Sequence, residues 1–238
     1  FLRFGEAGAT FEGLDVVGLS HFHTDHSVDF AALLKSGNFS GRERPLRVAG
    51  PAGARLFPGL EVYLDSLLGA DGGAYGYLAG YLDGSRGLIK LDVLEIPRDA
   101  AGARPVFDDK ATGLTVAAMN VPHGIVPALG FRVRVDGKTL VFASDQNGSD
   151  EGFIDFARGA DILVMHLPIP EGATGGALQL HARPSRVGAI AQAAGAKTLV
   201  LSHFMARSLA QLDTNVGIVA DAFDGELVVA SDLACVLP

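Results

Sequence analysis

The sequence predicts an α/β fold with mixed β-sheets covered by helices. Three observations predict it. Short apolar runs rich in Val and Leu are flanked by turn residues along most of the chain, the pattern of buried strands. Segments with apolar residues at helical spacing lie between several of them. The order reads β-α-β, then a β-hairpin region, then β-α-β-α-β, which suits helices packed on sheets.

The elements follow in order. "LDVVGLS" (14–20) is the first strand, and "SVDFAALLKSG" (27–37) is a helix with Ser27 as N-cap and Gly37 as stop. "LRVAG" (46–50) is the next strand. Residues 52–112 read as helix, glycine-rich turn and helix, with Tyr75, Tyr77 and Tyr81 packed under a loop or walling a pocket. "LTVAAMNV" (114–121) is a strand. "GFRVRVDG" (130–137) and "TLVFAS" (139–144) form a hairpin, Phe131 to Ser144, turning at "DGK". Strands "DILVMHL" (161–167), "TLVLSHF" (198–204) and "ELVVAS" (226–231) alternate with helices "EGFIDFARGA" (151–160) and "RPSRVGAIAQAAGA" (183–196). No repeat or low-complexity linker interrupts the series, so residues 1–238 read as one domain.

The totals narrow the function. A chain of 238 residues suits one sizeable core. Thirty-one glycines suggest tight turns and a loop-built site. The formal charge of −8 disfavours a polyanionic partner, because affinity for nucleic acid rests on Lys and Arg neutralising phosphates. The single cysteine, Cys235, excludes an internal disulfide and a thiolate metal cluster, and is expected as a small core residue. No apolar run reaches membrane-spanning length. The chain opens at Phe1 without an initiator Met, so its native N-terminal segment is expected to be missing, and the compartment, cytoplasmic or exported, stays open.

All seven histidines, His21, His23, His26, His123, His166, His181 and His203, lie at or beyond the end of an apolar run or just before a helix. In α/β sheets, sites are built at the carboxyl ends of strands. "VVGLS" runs into "HFHTDH" (21–26), "LTVAAMNVP" into His123, "TLVFAS" into Asp145, "DILVM" into His166 and "TLVLS" into His203. Imidazole and carboxylate at such density are ligands for zinc or a similar ion. His21 and His23, two apart in an extended segment, project to one side and can chelate one ion. Asp25 and His26 follow at a turn and can face a second, and two ions about 3.5–4 Å apart would clamp attacking and leaving oxygens.

This pattern resembles the metallo-β-lactamase fold superfamily, whose signature is His-x-His-x-Asp-His after a strand, then an isolated His, an isolated Asp and a final His. "HFHTDH", "VPHG" (121–124), "FASDQ" (142–146) and "VLSHF" (200–204) supply each part, and Asp15 matches the Asp found early in the preceding strand. The resemblance implies a four-layer αβ/βα fold, with two mixed β-sheets packed together and helices on the outer faces. It implies that His21, His23 and His123 hold one divalent ion, that Asp25, His26 and His203 hold another, and that Asp145 bridges them. A hydroxide between the ions would be the nucleophile. Zinc is the expected metal, with manganese or iron as alternatives.

Within the superfamily, "VAGPAG" (48–53), "VPHGIVPALGFRV" (121–133) and "HARPSRVGAIAQAAGAKTLVLSHF" (181–204) resemble the ribonuclease Z-like phosphodiesterase branch. That likeness implies that His181 donates a proton to the leaving oxygen and that Asp25 helps to activate the water. The chain departs from the branch in four ways. It has His181-Ala182-Arg183 where the branch has His-Ser-Thr, His166 where the branch often has Glu, Thr24 where Gly is commoner, and no evident basic arm for transfer RNA. His166 is expected beside His181. Ser20 is expected as a hydrogen-bond partner of a ligand, and Arg183 and Arg207 as solvated surface charges near the site, with binding of an anionic group as the alternative. The expected reaction is hydrolysis of a small phosphodiester. Nucleic acid and membrane are not expected as partners, and a homodimer is plausible from relatives. The alternatives are a β-lactamase or lactonase, a di-iron redox protein and a non-catalytic binding module.

Overall fold

The structure, a computed structural model, describes residues 1–238. It divides into two compact units, Phe1–Arg98 and Asp99–Pro238.

The first unit contains, in order, α1 (Leu2–Glu6), β1 (Val16–Gly18), α2 (Thr24–Ser27), α3 (Phe30–Gly37), β2 (Leu46–Pro51), α4 (Leu60–Leu68), a short 3₁₀ turn (Gly76–Leu78), α5 (Gly80–Asp83) and β3 (Leu91–Ile96). Its sheet has the order β1-β2-β3 and is parallel throughout. Helical crossovers join the consecutive strands, and a crossover returns the chain in the same direction. Mixing of strand direction is therefore confined to the second unit. The first core gathers Leu46 and Val48 of β2, Leu34 of α3, Leu60, Leu64 and Leu68 of α4, and Tyr81. Tyr81 is fully buried and its hydroxyl donates to the Leu34 carbonyl at 2.8 Å, whereas Tyr75 and Tyr77 are exposed, so the three tyrosines do not pack together in the core.

The helix and strand boundaries differ from the expected ones at two places in this unit. The helix over 27–37 is split in two, because the Ser27 hydroxyl donates back to the His23 carbonyl at 2.9 Å and closes α2 instead of capping α3. α3 does end at Gly37, where a Cβ would stand 2.5 Å from the Phe11 ring, so close packing as well as the helix end accounts for this glycine. The sequence also gave no strand for "LDVLEI" (91–96), which pairs with β2 along its whole length.

The second unit contains β4 (Arg104–Asp108), β5 (Thr115–His123), β6 (Val126–Val135), β7 (Lys138–Phe142), α6 (Gly152–Ala157), β8 (Ile162–His166), α7 (Ala177–Leu180), α8 (Pro184–Ala194), β9 (Thr198–Ser202), α9 (Ala206–Leu209), α10 (Leu212–Asp221) and β10 (Glu226–Val229). Its seven strands run β10-β9-β8-β7-β6-β5-β4. The four from β7 to β10 are parallel, and β4 to β7 are antiparallel. The expected hairpin is β6–β7, and Asp136 and Gly137 both take the left-handed backbone that a two-residue turn of this hand requires.

One face of the larger sheet presents Val141, Leu163, Met165, Leu199 and Leu201 to Phe153 and Phe156 of α6, to Val187, Ile190 and Ala191 of α8, and to Val219 of α10. The alternation along β8 and β9 is the period-two pattern of a packed strand. Before β8, Asp161 accepts hydrogen bonds from the Thr139 amide at 2.8 Å and the Lys197 ammonium at 2.7 Å. One carboxylate thus ties together the amino ends of three parallel strands. Their carboxyl ends carry His166, the last residue of β8, and run into the loops of Asp145 and His203. Cys235, expected in the core, is exposed, because the chain beyond β10 forms no further strand. No helix is long and apolar enough to cross a membrane.

Candidate metal centre

In the first unit, the Leu19 amide continues the β1–β2 ladder by donating to the Ala49 carbonyl at 2.8 Å, which holds the chain extended into the histidine motif. Ser20 Oγ lies 3.1 Å from His21 Nδ1, and His21 Nε2 lies 3.1 Å from His23 Nδ1. Two ligand atoms on a tetrahedral zinc stand about 3.3 Å apart, given bonds of about 2.0–2.1 Å, so this pair suits one ion. The His21 ring also packs on His26, with centroids 4.1 Å apart. Asp25 and His26 ride on α2, with Asp25 Oδ2 3.4 Å from His26 Nε2.

Aromatic residues fix this segment from behind. Phe22 stacks on Tyr63 at 4.5 Å, the Tyr63 hydroxyl donates to the Ser27 carbonyl at 2.7 Å, and Phe57 meets the His23 ring edge-on at 5.6 Å. Nothing in the sequence marks these three, since a supporting aromatic reads like any core residue. Asp15 is elsewhere: at the start of β1, it forms an ion pair with Arg44 at 2.5 Å.

In the second unit, four side chains converge from distant strand ends. Asp145 is buried, and its Oδ2 lies 3.9 Å from His123 Nε2, 3.7 Å from His181 Nδ1 and 3.6 Å from His203 Nε2. These separations exceed hydrogen-bond length and are close to those between ligands sharing a cation. His123 Nδ1 is 2.7 Å from the Leu180 carbonyl. A carbonyl only accepts, so Nδ1 carries the proton and the Nε2 lone pair points toward Asp145. His181 Nδ1 is buried without a hydrogen bond. A lone pair facing a carboxylate, beside a buried ring nitrogen with no partner, is a donor set that calls for a cation, so the residues present fit a divalent ion.

The backbone at this site is strained. Ser144, directly before Asp145, has φ 59°, and His203 has φ 55°. Such left-handed positions cost roughly 1–3 kcal/mol for residues other than glycine, and they cluster at functional sites. His166 ends β8, with Nδ1 2.7 Å from the Ser144 carbonyl and Nε2 accepting the Ala182 amide at 3.4 Å. Burial pushes the His166 imidazole down to about 3. Burial, reinforced by the neighbouring His166, His123, His203 and Arg207, also pushes His181 down to about 3. Both rings are neutral at physiological pH.

The two arginines are engaged with one loop. Arg183 donates to the Ala173 carbonyl at 3.2 Å, and Arg207 Nε donates to the Pro168 carbonyl at 3.0 Å. Between these points Glu171 accepts from the Ser185 amide at 2.9 Å and the Ser185 hydroxyl at 2.7 Å. It thereby caps α8 from outside the helix.

No family model matches the chain. The ribonuclease Z of Mycobacterium bovis BCG (Pasteur strain) is 29% identical, covering 97% of this chain and 82% of that protein. Among solved structures, the metallo-β-lactamase fold protein YhfI of Bacillus subtilis superposes with a TM-score of 0.70 at 20% identity, over 97% of this chain and 80% of the other. Human tRNase Z, short form, superposes with a TM-score of 0.70 at 19% identity, over 97% and 82%. At those identities the structural likeness bears on the fold, and the sequence likeness to ribonuclease Z extends along nearly the whole chain. The fold, the histidine motif and the relatives agree: the chain has the metallo-β-lactamase fold, is similar in sequence to ribonuclease Z along nearly its whole length, and is a metal-dependent hydrolase.

Proposed function

We propose that the chain hydrolyses phosphodiesters with two divalent ions held by His21, His23, Asp25, His26, His123, Asp145 and His203. The division of ligands is the one the motifs imply: His21, His23 and His123 for one ion, Asp25, His26 and His203 for the other, and Asp145 common to both. On this reading the two units are halves of one hydrolase domain. Zinc is the proposed metal, with manganese or iron as alternatives, because imidazole and carboxylate without thiolate serve all three. Such ions, when bound, lower the pKa of water and polarise a phosphoryl oxygen.

The chain's own residues orient and move protons. Asp25 is proposed to help activate the water, and His181 to protonate the leaving oxygen. The negative charge of a phosphodiester opposes the depression of the His181 imidazole, since an adjacent anion favours its charged form. The observation that carries this reading is the approach of three imidazole nitrogens to within 4 Å of one buried carboxylate oxygen.

Phosphodiesters are favoured over carbonyl substrates because the relatives are ribonucleases by name. The same names bring RNA back among the candidate substrates, although the formal charge of −8 favours a small phosphodiester. Assays with bis-p-nitrophenyl phosphate, an RNA oligonucleotide, nitrocefin and an acyl-homoserine lactone separate these outcomes. Zinc-dependent turnover of either phosphodiester is expected. Turnover of nitrocefin or the lactone with both phosphodiesters inert would overturn the reading.

A further inference from the structure

His166 stands where the sequence reading expects a residue beside His181, but its contacts are with the backbone. Its ring is buried at the end of β8 and 5.6 Å from the His181 ring. The Ser144 carbonyl, 2.7 Å from Nδ1, can only accept, so Nδ1 carries the proton. The Ala182 amide, 3.4 Å from Nε2, can only donate, so Nε2 offers its lone pair. A neutral tautomer protonated at Nδ1 satisfies both contacts, and the Gln146 backbone hydrogen-bonds the same ring.

The two backbone groups belong to different loops. Ser144 sits in the strained turn that aims Asp145. Ala182 follows His181 and also donates to the Gln146 carbonyl at 2.8 Å. One ring therefore spans the turn before Asp145 and the segment after His181.

We propose that His166 is a positioning residue, bracing the Asp145 turn through Nδ1 and the His181 segment through Nε2. The activity part of this inference rests on the phosphodiesterase reading, whereas the metal part stands without it.

Two substitutions separate the functions. In His166→Asn the amide nitrogen overlays Nδ1 and keeps the Ser144 bond while losing the Ala182 contact. In His166→Gln the amide overlays Nε2 and keeps the Ala182 contact while losing the Ser144 bond. H166Q is expected to weaken Zn²⁺ affinity, measured by chelator competition, about 10–100-fold, the usual cost of removing an outer hydrogen-bond partner. H166N is expected to bind Zn²⁺ within about threefold of the parent and to lose about tenfold in kcat on bis-p-nitrophenyl phosphate with KM nearly unchanged.

Parent-like Zn²⁺ affinity in H166Q, or parent-like kcat in H166N, would overturn the corresponding half of the proposal. Thermal melts of both variants establish that each is folded, and if one is not, the other still decides its half. A parent protein inert toward phosphodiesters would sink the proposed function, while the Zn²⁺ comparison of the two variants would still decide the Asp145 brace.

Discussion

His123 Nδ1 donates to the carbonyl of Leu180, the residue directly before His181. The bond fixes the tautomer of one candidate ligand imidazole and anchors the loop that carries the neighbouring histidine. It also makes the orientation of His123 depend on α7, fifty-seven residues away in sequence. A carboxylate surrounded by imidazoles set in this way is preorganised for a cation, and Asp145 is its centre.

Asp145→Ala is therefore expected to lower Zn²⁺ affinity by more than about 100-fold, beyond the cost of losing an outer hydrogen-bond partner, and to abolish hydrolysis with it. Metal content after dialysis, measured beside turnover, checks this. A metal-free variant with full activity would refute the metal centre.

Glu171→Ala removes the carboxylate that accepts both the amide and the hydroxyl of Ser185 at the first turn of α8. The expected cost is about 1–2 kcal/mol in urea unfolding, the range for loss of a helix cap. Because α8 begins directly after the His181 segment, kcat should fall as well. Glu171→Gln, which keeps an acceptor, should recover most of the stability.

Arg42 is a buried cation held chiefly by backbone carbonyls, with the Asp15 and Glu12 carboxylates nearby. Its guanidinium donates to the carbonyls of Leu14 at 2.5 Å, Arg44 and Pro45 at 2.8 Å, Glu12 at 3.1 Å and Phe11 at 3.4 Å. These bonds pin the chain entering β1, which leads into the histidine motif. Arg42→Ala should destabilise the protein by about 2–4 kcal/mol by leaving several carbonyls without donors. A chemical denaturation midpoint equal to that of the parent would show that the pin carries no weight.

Asp161 makes a pH prediction. The Lys197 ammonium and the Thr139 amide, both hydrogen-bonded to it, hold its carboxyl below the usual range. A carboxyl whose pKa is lower folded than unfolded stabilises fully above the unfolded value, about 3.9. That stabilisation is lost as pH falls through the lower folded value. Asp161→Asn should thus be less stable than the parent at neutral pH, with the difference closing at the acid end. Thermal melts across pH 2–7 measure it, and a difference that stayed constant with pH would contradict the assignment.

Much of this was legible beforehand. The runs ending in His123, Asp145, His166 and His203 are strands β5, β7, β8 and β9 or the turns just past them, because short Val- and Leu-rich runs bounded by turns have few other ways to fold. The sequence does not mark "LDVLEI" as a strand, because two acids in six residues break the apolar pattern and its pairing comes from β2, more than forty residues earlier. The break between α2 and α3 was missed because Ser27 is as good a cap in sequence as it is a back-bonding hydroxyl in place.

The sequence by itself determined the inventory: which imidazoles and carboxylates exist, at which strand ends, and in the order of a known hydrolase superfamily. Only the tertiary structure decided how they are held. His123 is oriented by the carbonyl of Leu180, His166 by the carbonyl of Ser144 and the amide of Ala182, and Arg183 and Arg207 by carbonyls of the loop between β8 and α7. Every residue carries a carbonyl and nearly every one an amide, so such bonds leave no mark on the sequence. They exist only once folding has brought distant stretches of backbone within 3 Å or so of a side chain.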